Sequence, residues 1–393
     1  MLQISVEDRQ WAETTWEKIS VKMLAQCERL GASFPYASID GHYSCKKNDN
    51  MSPNVYWWTN GFWPGILWLM YNASGDNKYL QTARAIEEKL DGALSGFEGL
   101  HHDVGFMWTL ASVLDFRLTG DNTARRRALH AANILAGRFN PRGKFIRAWN
   151  RDCTGWIIID SMMNLSLLYW AGRQTNDPRF AFIAEDHADT AMRCLVREDG
   201  SCNHIAVLDP LNGTLVETPA GQGYASGSSW TRGQAWAMYG FALTYLNSGH
   251  IRYLETSRRI AKYFCGKIAR HGFVPPVDFR SPDNEEKIID TSAGVIASCA
   301  LLTLYEISHN DSGQTENANQ YLRDAVNILK TIESKYCDYD PSADGLVRMA
   351  TAQYHNKLDE RHVSLIYGDY FFMEAVNRLR GKEIKIWQDQ NGK

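Results

Sequence analysis

The sequence carries no Cys-x-x-Cys pair, no long apolar run and no excess of charge of either sign. Its eight cysteines (Cys27, Cys45, Cys153, Cys194, Cys202, Cys265, Cys299 and Cys337) are scattered over 393 residues. That dispersal reads as reduced thiols rather than a disulfide framework. Against 42 Lys+Arg stand 45 Asp+Glu, a formal charge of -3, which excludes a protein whose main business is nucleic acid or an anionic membrane. The first residues mix charges with apolar side chains and lack a basic segment leading into an apolar core. No secretory signal is therefore read, and a cytoplasmic location is expected. No stretch reaches the roughly 20 apolar residues of a membrane span. Proline is sparse, at 11, and falls mainly in short connections. Period-two alternation is rare too, so few strands are expected.

What the chain does have is aromatic side chains, 13 Trp, 18 Tyr and 15 Phe, enough to build walls around a ligand. It also has apolar residues recurring at three and four along most of its length, the mark of helices. A weak repeat emerges over 61–76, 105–121, 160–177, 233–250 and 294–311. Each stretch opens on a polar-aromatic head, runs into a very apolar helix and ends in a Gly/Asn/Asp turn before a more amphipathic helix. A sixth head, Ser364-Leu-Ile-Tyr-Gly-Asp369, leads into a helix over 370–379, after which the chain stops. The spacing is too irregular for an open solenoid. Helices apolar all round belong inside a second ring of helices. The expected fold is thus all-α, an (α/α)6 barrel of six helix hairpins in one domain over residues 1–393. The variable heads would then gather at one mouth.

The heads read YWWTNGFW (56–63), LHHDVGFMW (100–108), GWIIIDSMMN (155–164), SSWTRGQAW (228–236), IIDTSAG (288–294) and VSLIYGD (363–369). Asp, Ser and Thr at a helix start ordinarily cap it. Capping does not call for the Trp, His and Arg found beside them here. Asp160 follows three isoleucines, and an apolar setting favours the protonated carboxyl that general acid catalysis needs. Asp103, one repeat earlier, has His102 next to it. Two carboxylates at one mouth should separate in titration, the more buried one keeping its proton, and such pairs are the usual apparatus of glycoside cleavage. Trp58, Trp230 and Trp236 offer flat faces to a sugar, whereas Trp63 and Trp108 are assigned to packing. Arg232 stands as a cation in an otherwise uncharged head. It either forks onto a substrate carboxylate or sulfate or pairs with a head aspartate.

Other motifs lead nowhere. The glycine-rich run at 221–227 has the wrong spacing for a dinucleotide fingerprint and no strand before it. No phosphate loop, His-Glu-x-x-His or Gly-x-Ser-x-Gly is present. The His101-His102-Asp103 run is too compact to make a metal site alone, so neither metal nor cofactor is expected.

Five of the heads, in register, resemble the unsaturated glucuronyl hydrolases of glycoside hydrolase family 88. The resemblance covers essentially the whole chain. It is carried by W-T-x-G-F-W-x-G from Trp58, H-D-x-G-F from His102, the Asp160 helix, W-x-R-G-Q-x-W from Trp230 and S-L-x-Y-G-D-Y from Ser364. It implies an (α/α)6 barrel that removes the 4,5-unsaturated uronic acid which polysaccharide lyases leave at the non-reducing end of glycosaminoglycan oligosaccharides. By motif, Asp160 matches the family's acid/base and Asp103 its partner carboxylate. Trp58, His102, Trp230, Arg232 and Trp236, together with His204, Gln222 and Tyr354 in looser motifs, match positions around the sugar. Some relatives that prefer sulfated fragments carry a Ser-x-x-Ser-x-Lys run. Here Ala352-Gln-Tyr-His355-Asn-Lys357 keeps only Lys357, which argues against that type of sulfate preference, although Arg232, His355 and Lys357 remain candidates for a sulfate. The expected partner is an unsaturated disaccharide or oligosaccharide, with no nucleic acid and no membrane, bound by a monomer or weak oligomer. Rival readings are a pectin-directed unsaturated rhamnogalacturonyl hydrolase, a sugar epimerase on the same barrel and a non-catalytic helical-repeat binding protein.

Overall fold

The computed structural model describes residues 2–282, 288–309, 315–355 and 360–388. Twelve helices build the fold among them. The first six are α1 (Val6–Leu30), α2 (Phe62–Ser74), α3 (Asn77–Gly96), α4 (Val104–Trp108 continuing through a π-type turn, Thr109–Val113, into Leu114–Thr119), α5 (Asn122–Ala136) and α6 (Ser161–Thr175). The rest are α7 (Arg179–Leu195), α8 (Thr231–Ser248), α9 (Ile251–Ile268), α10 (Thr291–Ser308), α11 (Thr315–Tyr336) and α12 (Ile366–Leu379). Helices α2, α4, α6, α8, α10 and α12 each contact the next, and α12 returns to α2, so the inner ring closes. Helices α3, α5, α7, α9 and α11 are amphipathic and pack outside it.

Burial explains the two sequence types. On α10 every residue from Thr291 to Tyr305 is buried, and on α8 every residue from Thr231 to Thr244. Helix α10 is apolar enough to cross a bilayer by composition, yet it is 89% buried within the barrel. Close approach within the ring requires small residues. A Cβ on Gly105 would lie 2.4 Å from Asn164 Cα, so α4 and α6 meet backbone to backbone there. The left-handed residues that end α2, α4, α6 and α8 (Gly75, Gly120, Asn176 and Gly249) are the turns read from the sequence.

The sixth hairpin is completed from the other end of the chain, where α1 packs on α12 as its outer helix. Arg380 ties the two together through Glu13 at 2.8 Å. Helix α12 also starts at Ile366, earlier than its head was read. Eight short strands, few in residues as expected, lie among the described residues. They are β1 (Ala37–Ile39), β2 (His42–Ser44), β3 (Phe139–Asn140), β4 (Phe145–Ile146), β5 (Trp156–Ile158), β6 (Ile205–Leu208), β7 (Leu215–Glu217) and β8 (Ser364–Leu365). They form sheets ordered β2-β1-β8, β3-β4 and β5-β6-β7. Strands of two to four residues are too short to display an alternation.

The opposite end of the barrel is plugged by the tail. Trp387 stacks on Phe371 with centroids 6.1 Å apart and donates its indole N–H to Glu374 at 2.9 Å. Arg117 holds the Ile386 carbonyl at 2.6 Å and Asn247 the Trp387 carbonyl at 3.2 Å. The end of the barrel away from the heads is therefore filled.

Candidate active site

The pairing of β5 with β6 assembles the site. Ile158 lies opposite Ile205, and the ladder ends with the Ile159 N–H donating to the His204 carbonyl at 3.0 Å. Asp160 and His204, far apart in sequence, therefore leave adjacent strands side by side. His204 Nε2 is 3.4 Å from Asp160 Oδ2. His204 Nδ1 accepts the Gln222 backbone N–H at 3.0 Å, and its ring lies against Trp230, centroids 4.6 Å apart.

Asp103 sits across the α4–α6 contact. His101 Nδ1 and His102 Nε2 lie 3.0 and 3.2 Å from its Oδ2. Neither Asp103 nor Asp160 caps the helix it precedes, since no side-chain hydrogen bond reaches the first turn of α4 or α6. Other aspartates of the ring are saturated. Asp290 accepts from Ser292 N–H at 3.1 Å and from Arg232 at 2.5 Å. Asp369 accepts from the N–H groups of Leu346 and Val347 at 2.9 and 2.8 Å and from the Tyr43 hydroxyl at 2.7 Å.

Electrostatics distinguish Asp103 from the histidine beside it. Burial lowers His102 to about 4, so its ring is neutral near pH 7. Its Nδ1 meets the Ser161 hydroxyl at 3.0 Å. Burial by itself raises Asp103, but the facing imidazoles of His102 and His101 and the Asn164 amide outweigh it and hold the carboxyl below its ordinary value. The expectation that the more buried carboxylate keeps its proton does not hold for Asp103. Asp103 is the more buried of the two and is the anion, because donors surround it. His101, His102 and Asp103 also bring three potential metal-ligand atoms within 4.8 Å of one another. Ser161 takes His102 Nδ1, while His101 Nδ1 and His102 Nε2 face the Asp103 carboxylate at 3.0 and 3.2 Å.

Around this centre, several residues expected at the sugar lie behind the surface instead. Trp236 is 0% exposed, packed between Phe106 and Phe371. His102 is likewise 0% exposed, and Trp230 is 2% exposed beneath His204 and the Arg232 guanidinium. The indole N–H groups of Trp230 and Trp236 have no hydrogen-bond partner among the described residues. Arg232 takes the second of its two sequence readings. It pairs with Asp290, donates to the Thr351 carbonyl at 2.7 Å and also reaches the Ala352 carbonyl. Tyr354 is buried beside Tyr224, and its N–H donates to the Gln222 carbonyl at 2.9 Å. His355 Nε2 bonds the Tyr224 carbonyl at 2.7 Å. Lys357 lies outside the described residues.

Partly exposed at the mouth are Trp58, which leans on Tyr367 at 5.0 Å, Gln222, Tyr224 and Trp149. Trp149 and Tyr224 were missed by the sequence reading. Trp149 faces Trp156 at 5.7 Å and His204 at 6.5 Å. It follows β4 in a turn-rich segment, not at a helix head. The available signal was a tryptophan placed among polar turn residues.

A family model, Glycosyl Hydrolase Family 88, matches residues 37–264. The chain belongs to this family. Over 373 residues it is 35% identical to the unsaturated glucuronyl hydrolase of Bacillus sp. strain GL1, covering 92% of this chain and 95% of that protein. It is 31% identical to the unsaturated chondroitin disaccharide hydrolase of Streptococcus pyogenes serotype M1, covering 82% of this chain and 81% of that one. A solved structure described as a UGL variant with dGlcA-Glc-Rha-Glc superposes with a TM-score of 0.89 at 31% identity, over 96% of this chain and 99% of the other. Membership in family 88 makes the protein a glycoside hydrolase, and the superposition places its helices in the (α/α)6 class.

Proposed function

We propose that this glycoside hydrolase removes the 4,5-unsaturated uronic acid from the non-reducing end of lyase-generated glycosaminoglycan oligosaccharides, with Asp160 as acid/base and Asp103 as its partner. The observation that carries the assignment is that neither carboxylate caps its helix, and that Asp160 Oδ2 is buried with no hydrogen-bond partner among the described residues. Asp290 and Asp369 are consumed by the fold, whereas Asp160 and Asp103 stand at the mouth with no capping duty. The names of the two enzyme relatives supply the substrate class.

In the substrate, C4=C5 is a vinyl ether conjugated with the C6 carboxylate. Asp160 donates its proton to C4, positive charge develops at C5 and the ring oxygen, and water adds at C5. The Asp160 carboxylate then takes the proton of that water. The hemiketal formed opens and the glycosidic link is lost without attack at the anomeric carbon, so the carboxylate-separation rule of ordinary glycosidases does not apply. An ionised Asp103 suits the stationary role, holding ring hydroxyls while Asp160 carries the proton. Trp58 and Trp149 are placed to offer aromatic faces to the sugar. His102, Trp230, Trp236 and Arg232 support from behind, and Gln222 and Tyr354 frame the loop over His204. The whole chain then works as one catalytic domain, a monomer or weak oligomer. Its eight free cysteines suit the reducing cytoplasm, where it would act on imported lyase products.

The test is loss of absorbance of the conjugated double bond on chondroitin, hyaluronan, heparin and rhamnogalacturonan disaccharides. Asp160→Asn is expected to lower kcat by roughly a hundredfold or more while leaving binding largely intact. Retention of more than about a tenth of wild-type kcat would remove Asp160 from the acid role.

A further inference from the structure

The glycine-rich run at 221–227, which matches no nucleotide fingerprint, lies against His204, the neighbour of Asp160. We infer that this loop, held by Asp278, is a positioning device that decides which ring nitrogen of His204 carries the proton, so that an N–H and not a lone pair faces Asp160. The inference rests on the reading of Asp160 as the acid.

The argument starts at His204. Its Nδ1 accepts the Gln222 backbone N–H at 3.0 Å, and a backbone N–H has only a donor to offer. Nδ1 must therefore present its lone pair, which leaves the ring proton on Nε2, 3.4 Å from Asp160 Oδ2. That oxygen is buried and has no hydrogen-bond partner among the described residues. In the other tautomer, two donors would meet at Nδ1 and Nε2 would present a lone pair to Asp160. An Nε2–H steadies Asp160 when it becomes a carboxylate after protonating C4. A lone pair at Nε2 would instead compete for the very proton Asp160 must deliver.

The loop is built for this contact. Gly221 has φ +60°, and a Cβ there would lie 1.9 Å from His204 Nδ1, so only glycine lets the backbone approach the ring. Asp278, 1% exposed, then fixes the rest of the loop. Its Oδ2 accepts the Tyr224 N–H at 3.1 Å, and its Oδ1 accepts the N–H groups of Ser229 and Arg280 at 2.9 and 2.8 Å. Arg280 turns back to hold the Gly227 carbonyl at 2.8 Å. On the far side, the Gln222 carbonyl is taken by the Tyr354 N–H at 2.9 Å. The two peptides that follow the one facing His204 are thus held, one by the Tyr354 N–H and the next by the Asp278 carboxylate. Asp278 touches neither Asp160 nor His204 and acts only through the loop.

Two measurements test this. Long-range proton–nitrogen correlation on protein labelled with nitrogen-15 histidine, with His204→Gln used to assign the signal among 11 histidines, reads the tautomer directly. Wild-type His204 is expected to show a pyrrole-like Nε2 and a pyridine-like Nδ1, and Asp278→Asn a mixture of tautomers. In the absorbance assay, Asp278→Asn is expected to lower kcat by about tenfold to a hundredfold, with KM within about threefold of wild type. His204→Gln keeps a donor near the Nε2 position whatever the loop does. In that background Asp278→Asn should cost less than about threefold more. An Nδ1–H tautomer in the wild type overturns the proposal. So does an Asp278→Asn loss of equal size in both backgrounds, which would mark Asp278 as a fold residue only. If Asp160→Asn keeps full turnover, the acid reading fails, while the tautomers of the wild type and Asp278→Asn still decide what the loop does.

Discussion

Arg232→Met separates the two roles that its head allowed. The guanidinium is 2% exposed and its partner Asp290 is 0% exposed, so removing the cation strands a carboxylate with no access to water. Breaking a buried pair on one side costs about 3–5 kcal/mol. The carbonyls of Thr351 and Ala352 lose their donors as well, which pushes the value to the upper end of that range. A loss of about 4–5 kcal/mol is a large share of the about 5–15 kcal/mol that holds a typical domain. Asp290→Leu alone forfeits both the pair and the cap on Ser292. In the double variant no buried charge remains unpaired, so its cost should fall short of the sum of the two singles by about 2–3 kcal/mol. Equilibrium urea unfolding followed by tryptophan fluorescence measures all three. If Arg232→Met cost less than about 1 kcal/mol yet raised KM for an unsaturated disaccharide more than tenfold, the guanidinium would be a substrate receptor and the brace argument wrong.

Other outcomes follow from single contacts. Asp103→Asn should cut kcat at least about tenfold on the same absorbance assay with little change in melting temperature, since its donors come from side chains that need no charge to fold around it. Gly221→Ala drives a methyl into the His204 ring and strains a positive φ, so turnover should fall about tenfold or more, and a variant with full kcat would show that the contact is dispensable. Glu87, buried under α4 with the Ser112 hydroxyl at 2.6 Å, is raised to about 8 by burial. Its folded value lies above its unfolded one, so the native state holds an extra proton between about pH 4.5 and 8 and stability falls as pH rises through that window. Glu87→Gln should remove this slope, gaining up to about 5 kcal/mol on the wild type at pH 9 and almost nothing at pH 4, as read by unfolding across pH.

The tryptophans chosen from the sequence show where reading by helix heads stops. Trp58 is at the mouth as expected, whereas Trp230 and Trp236 share the same motif but point into the barrel. A head tells which end of a helix a residue occupies, not which side. Trp149 and Tyr224 belong to no head, and only the chain's return between β4 and β5 and the loop before α8 bring them to the opening. Asp278 carried no sequence signal, since its importance lies in three backbone N–H groups that a fold must deliver to it.

The sequence by itself determined the double ring, because six helices apolar on every face can be buried only inside others. It also singled out Asp103 and Asp160 as candidates, by the company of His and apolar neighbours. Tertiary structure decided which charges are spent. Arg232 meets Asp290 across 58 residues, and the Asp160–His204 pair exists only because β5 and β6 run antiparallel. It also supplied the twelfth helix of the barrel from the opposite end of the chain. Those outcomes depend on distances between segments remote in sequence, and local pattern carries no information about distance.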